Sequence, residues 1–386
     1  MSFFAQEFNR LDATFIERLE ILEQVRDENL TGIGEFYHDA LRVLITRLPD
    51  MRTIQDREAA EASARILARG LGEERFSAAA PELWHLVQFF NVVRYINDGF
   101  VMQYALTALG QINAQEFLPH LIQGLDDLNT QHTADIETRR RMHRAAVGYI
   151  NALEALGDPA GFRPVFFVYT GWYDTPVRMM AYNALFNIAE DPADVISQII
   201  ISPAHTPDIK YEALRVMLAT NAPDSSKARV ASVALNTGWT LVSPNPVFQR
   251  HLREMRKLAI DTIRRYGAYD DSVYVNLERS FRNNFVNPAP DFDEIRMTIH
   301  ALSTLGTDRA VDMLLGYLRE LHLRRRIGPW TVNRERQIFN WVILGLGASR
   351  TQSMEARMLL TTIQRSSEYT HTEQTWARDA LRQLGF

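Results

Sequence analysis

Arginine is the side chain through which this sequence offers most chemistry. Of its 42 Lys and Arg residues, only Lys210, Lys227 and Lys257 are lysine. A guanidinium presents a planar fork of donors suited to carboxylates and phosphates. Three basic clusters stand out. The first is Arg139-Arg140-Arg141 with His143 and Arg144. The second is Arg250, Arg253, Arg256, Lys257, Arg264 and Arg265, in which Arg253, Arg256 and Lys257 fall three to four apart and share one face of a helix. The third is Arg324-Arg325-Arg326, followed by Trp330, Arg334 and Arg336. Basic side chains beside an aromatic are a way to hold a nucleic-acid strand. The same three arginines would also complement the negative end of a helix dipole.

The aromatic residues offer a second kind of site. Phe166 to Pro176 is the densest run, with Trp172 and Tyr173 at its centre, and Trp239 stands close to Pro244 and Pro246. Trp and Tyr make good partner-binding anchors because they present a large area at low entropy cost. The alternative is that Phe166 and Phe167 are core and Trp172 plugs a gap between elements. Trp239 is expected in a long loop from Thr237 to Phe248, either packing that loop or touching a partner.

Other chemistries find no footing. There is no cysteine, which excludes disulfides, thiolate nucleophiles and Cys-type zinc sites. The ten histidines include no pair at i, i+3 or i, i+4, so no metal site is expected. G-x-S-x-G, G-x-G-x-x-G and the phosphate loop with Lys are all absent, so no catalytic residue and no cofactor is assigned. Asp126-Asp127 and Asp270-Asp271 read as solvated turns. The formal charge of −5 disfavours a general nucleic-acid binder. No stretch approaches the ~20 apolar residues of a membrane span. With Met1 as the start the chain is expected in the cytoplasm; with a leader removed, the alternative is a bacterial periplasm.

A length of 386 residues exceeds what one hydrophobic core usually serves, so a repeat array or several domains is expected. The repeat is visible. Ala105 to Gly110 reads A-L-x-A-L-G, and Ala152 to Gly157, Ala301 to Gly306 and Ala380 to Gly385 are similar. With weaker copies at 184, 213, 262 and 342, the spacings run from 29 to 49 residues. Val101, Tyr104, Ala105, Ala108 and Leu109 fall on one helical face, and Gly110 is expected to end the helix in a left-handed turn. A second helix follows, with Phe117, Leu118, Leu121, Ile122 and Leu125; Ala310, Val311, Leu314, Leu315 and Leu318 repeat that register. In Gly157-Asp158-Pro159 and Gly306-Thr307-Asp308 the Asp is expected to cap the second helix. Neither helix buries its apolar face alone, so neighbouring units must stack.

This motif, over roughly residues 58 to 386, resembles the bacterial HEAT-repeat family. The resemblance implies an all-α fold, an α-solenoid of about eight antiparallel helix pairs with helical caps. The expected organisation is a cap over 1–50, with Phe15, Ile16, Leu19, Leu22 and Val25 as its apolar stripe, and one continuous array over 51–386. Pairs are expected near 58–90, 98–128, 139–170, 175–203, 207–237, 249–284, 291–325 and 333–366, with a last helix over 373–384. The expected function is a non-catalytic scaffold that binds a protein through the concave face lined by the second helices. Trp172, Tyr173, Trp239, Arg324, Arg325, Arg326 and Trp330 are the candidate partner-binding residues. Some HEAT-like proteins bind iron through His-Glu dipeptides, and this sequence has none. Some HEAT-like DNA glycosylases hold DNA in a basic groove with aromatics, and the Trp330 cluster is the nearest echo. Nucleic acid is therefore the alternative partner.

Overall fold

A computed structural model describes residues 2–28, 30–93, 95, 97–287, 289–328 and 333–385. All regular structure among them is helical. Packing divides the chain into two units, 1–190 and 191–386. The first holds α1 (Ser2–Phe8), α2 (Phe15–Asp27), α3 (Gly34–Arg47), α4 (Ile54–Glu73), α5 (Ala80–Phe89), α6 (Phe100–Gln111), α7 (Leu118–Thr130), α8 (Ile136–Leu156), α9 (Phe162–Thr170) and α10 (Thr175–Ile188). The second holds α11 (Ala193–Ile201), α12 (Pro207–Ala219), α13 (Asp224–Thr240), α14 (Pro246–Tyr266), α15 (Ser272–Val286), α16 (Phe292–Leu305), α17 (Asp308–Ile327), α18 (Asn333–Ala348), α19 (Met354–Arg365) and α20 (His371–Gln383).

Each unit is a HEAT-like array of helix pairs in two layers. In the first, α2, α4, α6, α8 and α10 stack in succession, while α3 packs on α5 and α7 on α9. In the second, α12, α14, α16, α18 and α20 stack in succession, and α11, α13, α15 and α17 form the other layer. The repeat motif explains the first layer. Ala105, Leu106, Ala108 and Leu109 of α6 are buried, as are Ala152, Leu153 and Leu156 of α8. Burying each leucine contributes about 1.5–3 kcal/mol.

Four details depart from expectation. Gly110 does not end α6; it lies inside it, and a Cβ there would sit 2.7 Å from the Cα of Ala152. Its smallness lets two backbones touch, and the left-handed residue comes later, at Asn113 (φ 58°). Gly157 (φ 62°) and Gly306 (φ 58°) do end their helices as expected. Second, Thr307 caps α17 by accepting from the Ala310 amide, and Asp308 is the first helical residue. The hydroxyl reaches the free amide from one residue earlier. Third, Ile16 is 43% exposed, and Arg18 takes its expected place on the buried face of α2. Arg18 is tolerated there because its Nε donates to the Phe8 carbonyl at 3.0 Å and Nη2 to that of Arg10 at 2.9 Å. Fourth, Trp239 is in no loop: α13 runs to Thr240.

Candidate interaction surfaces

The aromatic run lies where α9 turns into α10. Trp172 and Tyr173 stack at 4.3 Å. Tyr173 is only 4% exposed. Its hydroxyl donates to Asn129 Oδ1 at 3.0 Å, and Asn129 Nδ2 donates to the Pro164 carbonyl at 3.0 Å. Burial pushes the Tyr173 phenol well above its ordinary value of 10. This tyrosine therefore works as a strut tying the turn to α7. Trp172 is half-buried and lies 5.4 Å from the ring of His143. His143 Nδ1 stands 3.1 Å from Asp174 Oδ2, and the other Asp174 oxygen caps α10 by accepting from Val177 at 3.1 Å. One carboxylate thus fixes both a helix start and an imidazole.

Trp239 sits half-buried in the last turn of α13. Its Nε1 donates to Ser280 Oγ at 2.9 Å. The Arg256 guanidinium covers its face at 4.0 Å, and also grips fully buried Glu294 through two bonds of 2.8 and 2.9 Å. A cleft of about 320 Å³ opens beside them, bordered by Arg253, Asn283, Asn284 and Asp291. Within the second basic cluster, Arg256 is engaged by Glu294, and Lys257 by Glu254 at 2.8 Å and Asp291 at 3.6 Å. The first cluster is also engaged. Arg140 pairs with Glu137 at 2.9 Å, and Arg144 donates to the Asp98 carbonyl while lying 3.9 Å over Phe100.

Arg324, Arg325 and Arg326 occupy the last turn of α17, where their charge suits the helix dipole. Arg324 bonds Glu320 at 3.0 Å and Glu335 at 3.2 Å and lies 4.7 Å over Phe285. Arg325 donates to the Glu368 carbonyl at 2.5 Å, and Arg326 is 3.9 Å from the Glu368 carboxylate. Arg336 reaches buried Glu373 at 3.2 Å, and Arg334 donates to the Asn287 carbonyl at 3.1 Å. Trp330 lies outside the described residues. The cluster is thus a laced set of ion pairs rather than a bare basic groove.

Sequence reasoning missed three features. One is a recurring ion pair from an arginine to a fully buried glutamate. Arg256 of α14 meets Glu294 of α16, and Arg336 of α18 meets Glu373 of α20. Each Glu is the third residue of its helix, and the partners are 38 and 37 residues apart, close to one repeat. That recurring offset was available as a signal. The second is an aromatic cluster between α5 and the start of α7, where Trp84 lies 5.6 Å from Phe117, just before α7, and 5.3 Å from His120. The third is a groove of about 550 Å³ between α15 and α17, lined by Tyr274, Val275, Arg279, Arg309, Met313 and Gly316. Glu278 and Tyr317 form its floor. The Tyr317 hydroxyl donates to Glu278 at 2.5 Å, and its ring stacks on Phe281 at 3.6 Å. Burial, reinforced by that bond, pushes the Tyr317 phenol far above 10. Nothing in the sequence marks this groove, because its walls come from different repeats.

No family model and no curated protein matches the chain. Among solved structures, the chain is similar over its whole length to importin beta crystallised in a polyethylene glycol condition, at 12% identity and a TM-score of 0.33. It spans 59% of that chain. It is also similar, at 11% identity and a TM-score of 0.27, to a chain from a structure concerned with the phosphorylation-controlled interaction between cadherin and beta-catenin; the match covers 100% of this chain and 99% of that one. Neither overlay is close enough to carry a function across. Among the described residues, no helix is long and apolar enough to cross a membrane.

Proposed function

We propose that this chain is a non-catalytic scaffold that holds a protein partner on the outer face of its second-layer helices. The observation that carries the reading is the α15–α17 groove. It is open, it is walled by helices that are otherwise well packed, and Val275 stands 48% exposed at its edge. Leu323 of α17 and Met354 and Met358 of α19 add exposed apolar side chains. Exposed apolar area set among charged residues is the composition of a binding surface. The ion pairs around it hold side chains in place before a partner arrives, which lowers the ordering cost of association.

Affinity purification with mass spectrometry tests the reading. It predicts a protein enriched with the native chain and depleted when Val275 and Leu323 are both changed to Glu. Repeated purifications with no enriched protein overturn it. The charge of the second unit favours one other reading. Residues 191–386 carry 25 basic and 21 acidic residues, a formal +4 within a chain of −5. A nucleic-acid partner would exploit that charge, and a gel shift that weakens steeply with salt would reveal it.

A further inference from the structure

Resting on the scaffold reading, we propose that the α15–α17 groove takes an extended, acidic protein segment that seats an apolar side chain over Gly316. Gly316 is the first clue. Glycine weakens a helix interior, and every other described glycine within an α-helix has a reason for its place. A Cβ at Gly34, Gly70, Gly72, Gly110, Gly124, Gly148, Gly238, Gly345 or Gly347 would meet another atom at 3.0 Å or less. At Gly316, midway along α17, a Cβ would meet nothing within 4 Å, and φ is not positive. Neither crowding nor backbone geometry within the chain calls for glycine there. The missing side chain instead leaves a dent in the groove floor, flanked by Met313, Val275 and Tyr317.

Charge identifies the occupant. Glu278 is occupied by Arg282 at 2.7 Å and by the Tyr317 hydroxyl. Arg279 is exposed, and among the described residues no acid lies within ion-pair distance of it; its contact is with Asn276 Oδ1 at 3.5 Å. Arg309 pairs at 2.9 Å with Asp271, which is 88% exposed. Such a surface pair exchanges readily for a better acid. Carboxylates on either side of the seated residue would meet Arg279 and Arg309. Exposed Asp312, the remaining acid of the lining, suits the backbone N–H groups of an extended segment. A phosphate backbone fits worse, because it would pass over Asp312 and leave the apolar dent empty.

The test uses the full chain and three fluorescent probes: a short peptide alternating Glu and Leu, its counterpart alternating Lys and Leu, and a single-stranded DNA oligonucleotide. Anisotropy should show the Glu–Leu peptide binding at least about tenfold tighter than either of the others. Gly316→Leu fills the dent and Arg279→Glu reverses the charge; each should cost the peptide about tenfold. Thermal melting should show that Gly316→Leu does not lower Tm, which separates blocking from unfolding. Equal binding of the Lys–Leu peptide, preference for the oligonucleotide, or indifference to Gly316→Leu overturns the proposal. So does sedimentation showing that the chain self-associates and that Gly316→Leu abolishes it, because the occupant is then a second copy. If these outcomes arise while the purified partner is still lost when Val275 and Leu323 are both changed to Glu, the scaffold reading stands and only the occupant is wrong.

Discussion

The two units share a packing plan and differ in what they leave open. Residues 1–190 carry 17 basic and 26 acidic residues, a formal −9, against +4 for residues 191–386. Their glycines differ as well. In the first unit Gly110 and Gly148 bring α6 and α8 into backbone contact, with Cβ positions 2.7 Å from Ala152 and 2.9 Å from Gln103. The second unit closes a seam the same way at Gly347, whose Cβ position lies 2.8 Å from the Cα of Ala380, but there one helical glycine, Gly316, faces empty space. One residue type closes a seam in one place and opens a groove in another. A repeat fixes the helices, and departures from it decide the surfaces.

The largest test of this contrast concerns the second unit's buried glutamates. Glu294→Ala leaves the largely buried Arg256 guanidinium without its carboxylate and should cost about 3–5 kcal/mol in denaturant unfolding; a loss below ~1 kcal/mol would mean that water from the adjoining cleft or another acceptor replaces it. Next are the two glycines. Gly110→Val should destabilise by about 1–3 kcal/mol through overpacking against α8. Gly316→Ala should stabilise by up to about 1 kcal/mol, since it restores helix propensity at no steric cost. If both changes move stability the same way, the contrast between seam and groove is lost. Tyr173→Phe removes the bond to Asn129 and should cost about 0.5–1.5 kcal/mol, whatever the partner does; no change would remove its role as a strut.

The smallest effects are opposite responses to pH. Burial, then the nearby charge of Asp98, raises the Glu61 carboxyl from 4.5 to about 7. The stability this gives α4 is full below 4.5 and is lost as pH rises through about 7. Burial, with Arg326 close by, lowers the His322 imidazole below its ordinary 6.5. Its contribution is present above 6.5 and is lost as pH falls through the folded value. Hydrogen exchange compared at pH 7.5 and 5.5 should show α4 gaining protection and α17 losing it (both values are about one unit either side of the His reference). Glu61→Gln should flatten the first response, and His322→Phe the second.

The helices were readable because buried Ala-Leu periodicity leaves a mark in sequence. The expected pair at 291–325 is α16 with α17, and that at 249–284 is α14 with α15. What failed was local. A-L-x-A-L-G is the same string whether its glycine stops a helix, as at 157, or lies against a neighbour, as at 110, and only the partner helix decides. Pro244 and Pro246 suggest a loop at Trp239, yet α13 continues because Gly238 and Trp239 pack on Arg256. Part of what engages the arginine clusters lies elsewhere in the chain: Glu294 is 38 residues from Arg256, and the Glu368 carbonyl that Arg325 bonds is 43 residues away. The groove was invisible for the same reason, since Arg279 and Gly316 come together only through stacking.

In the proposed function a protein partner sits on α15 and α17. Hydrogen exchange of the chain with and without its co-purified partner tests it most directly. Partner binding should add protection concentrated in 272–286 and 308–327, and less of it in Gly316→Leu. Protection confined to residues 1–190, or to the α14 and α16 layer, would contradict it.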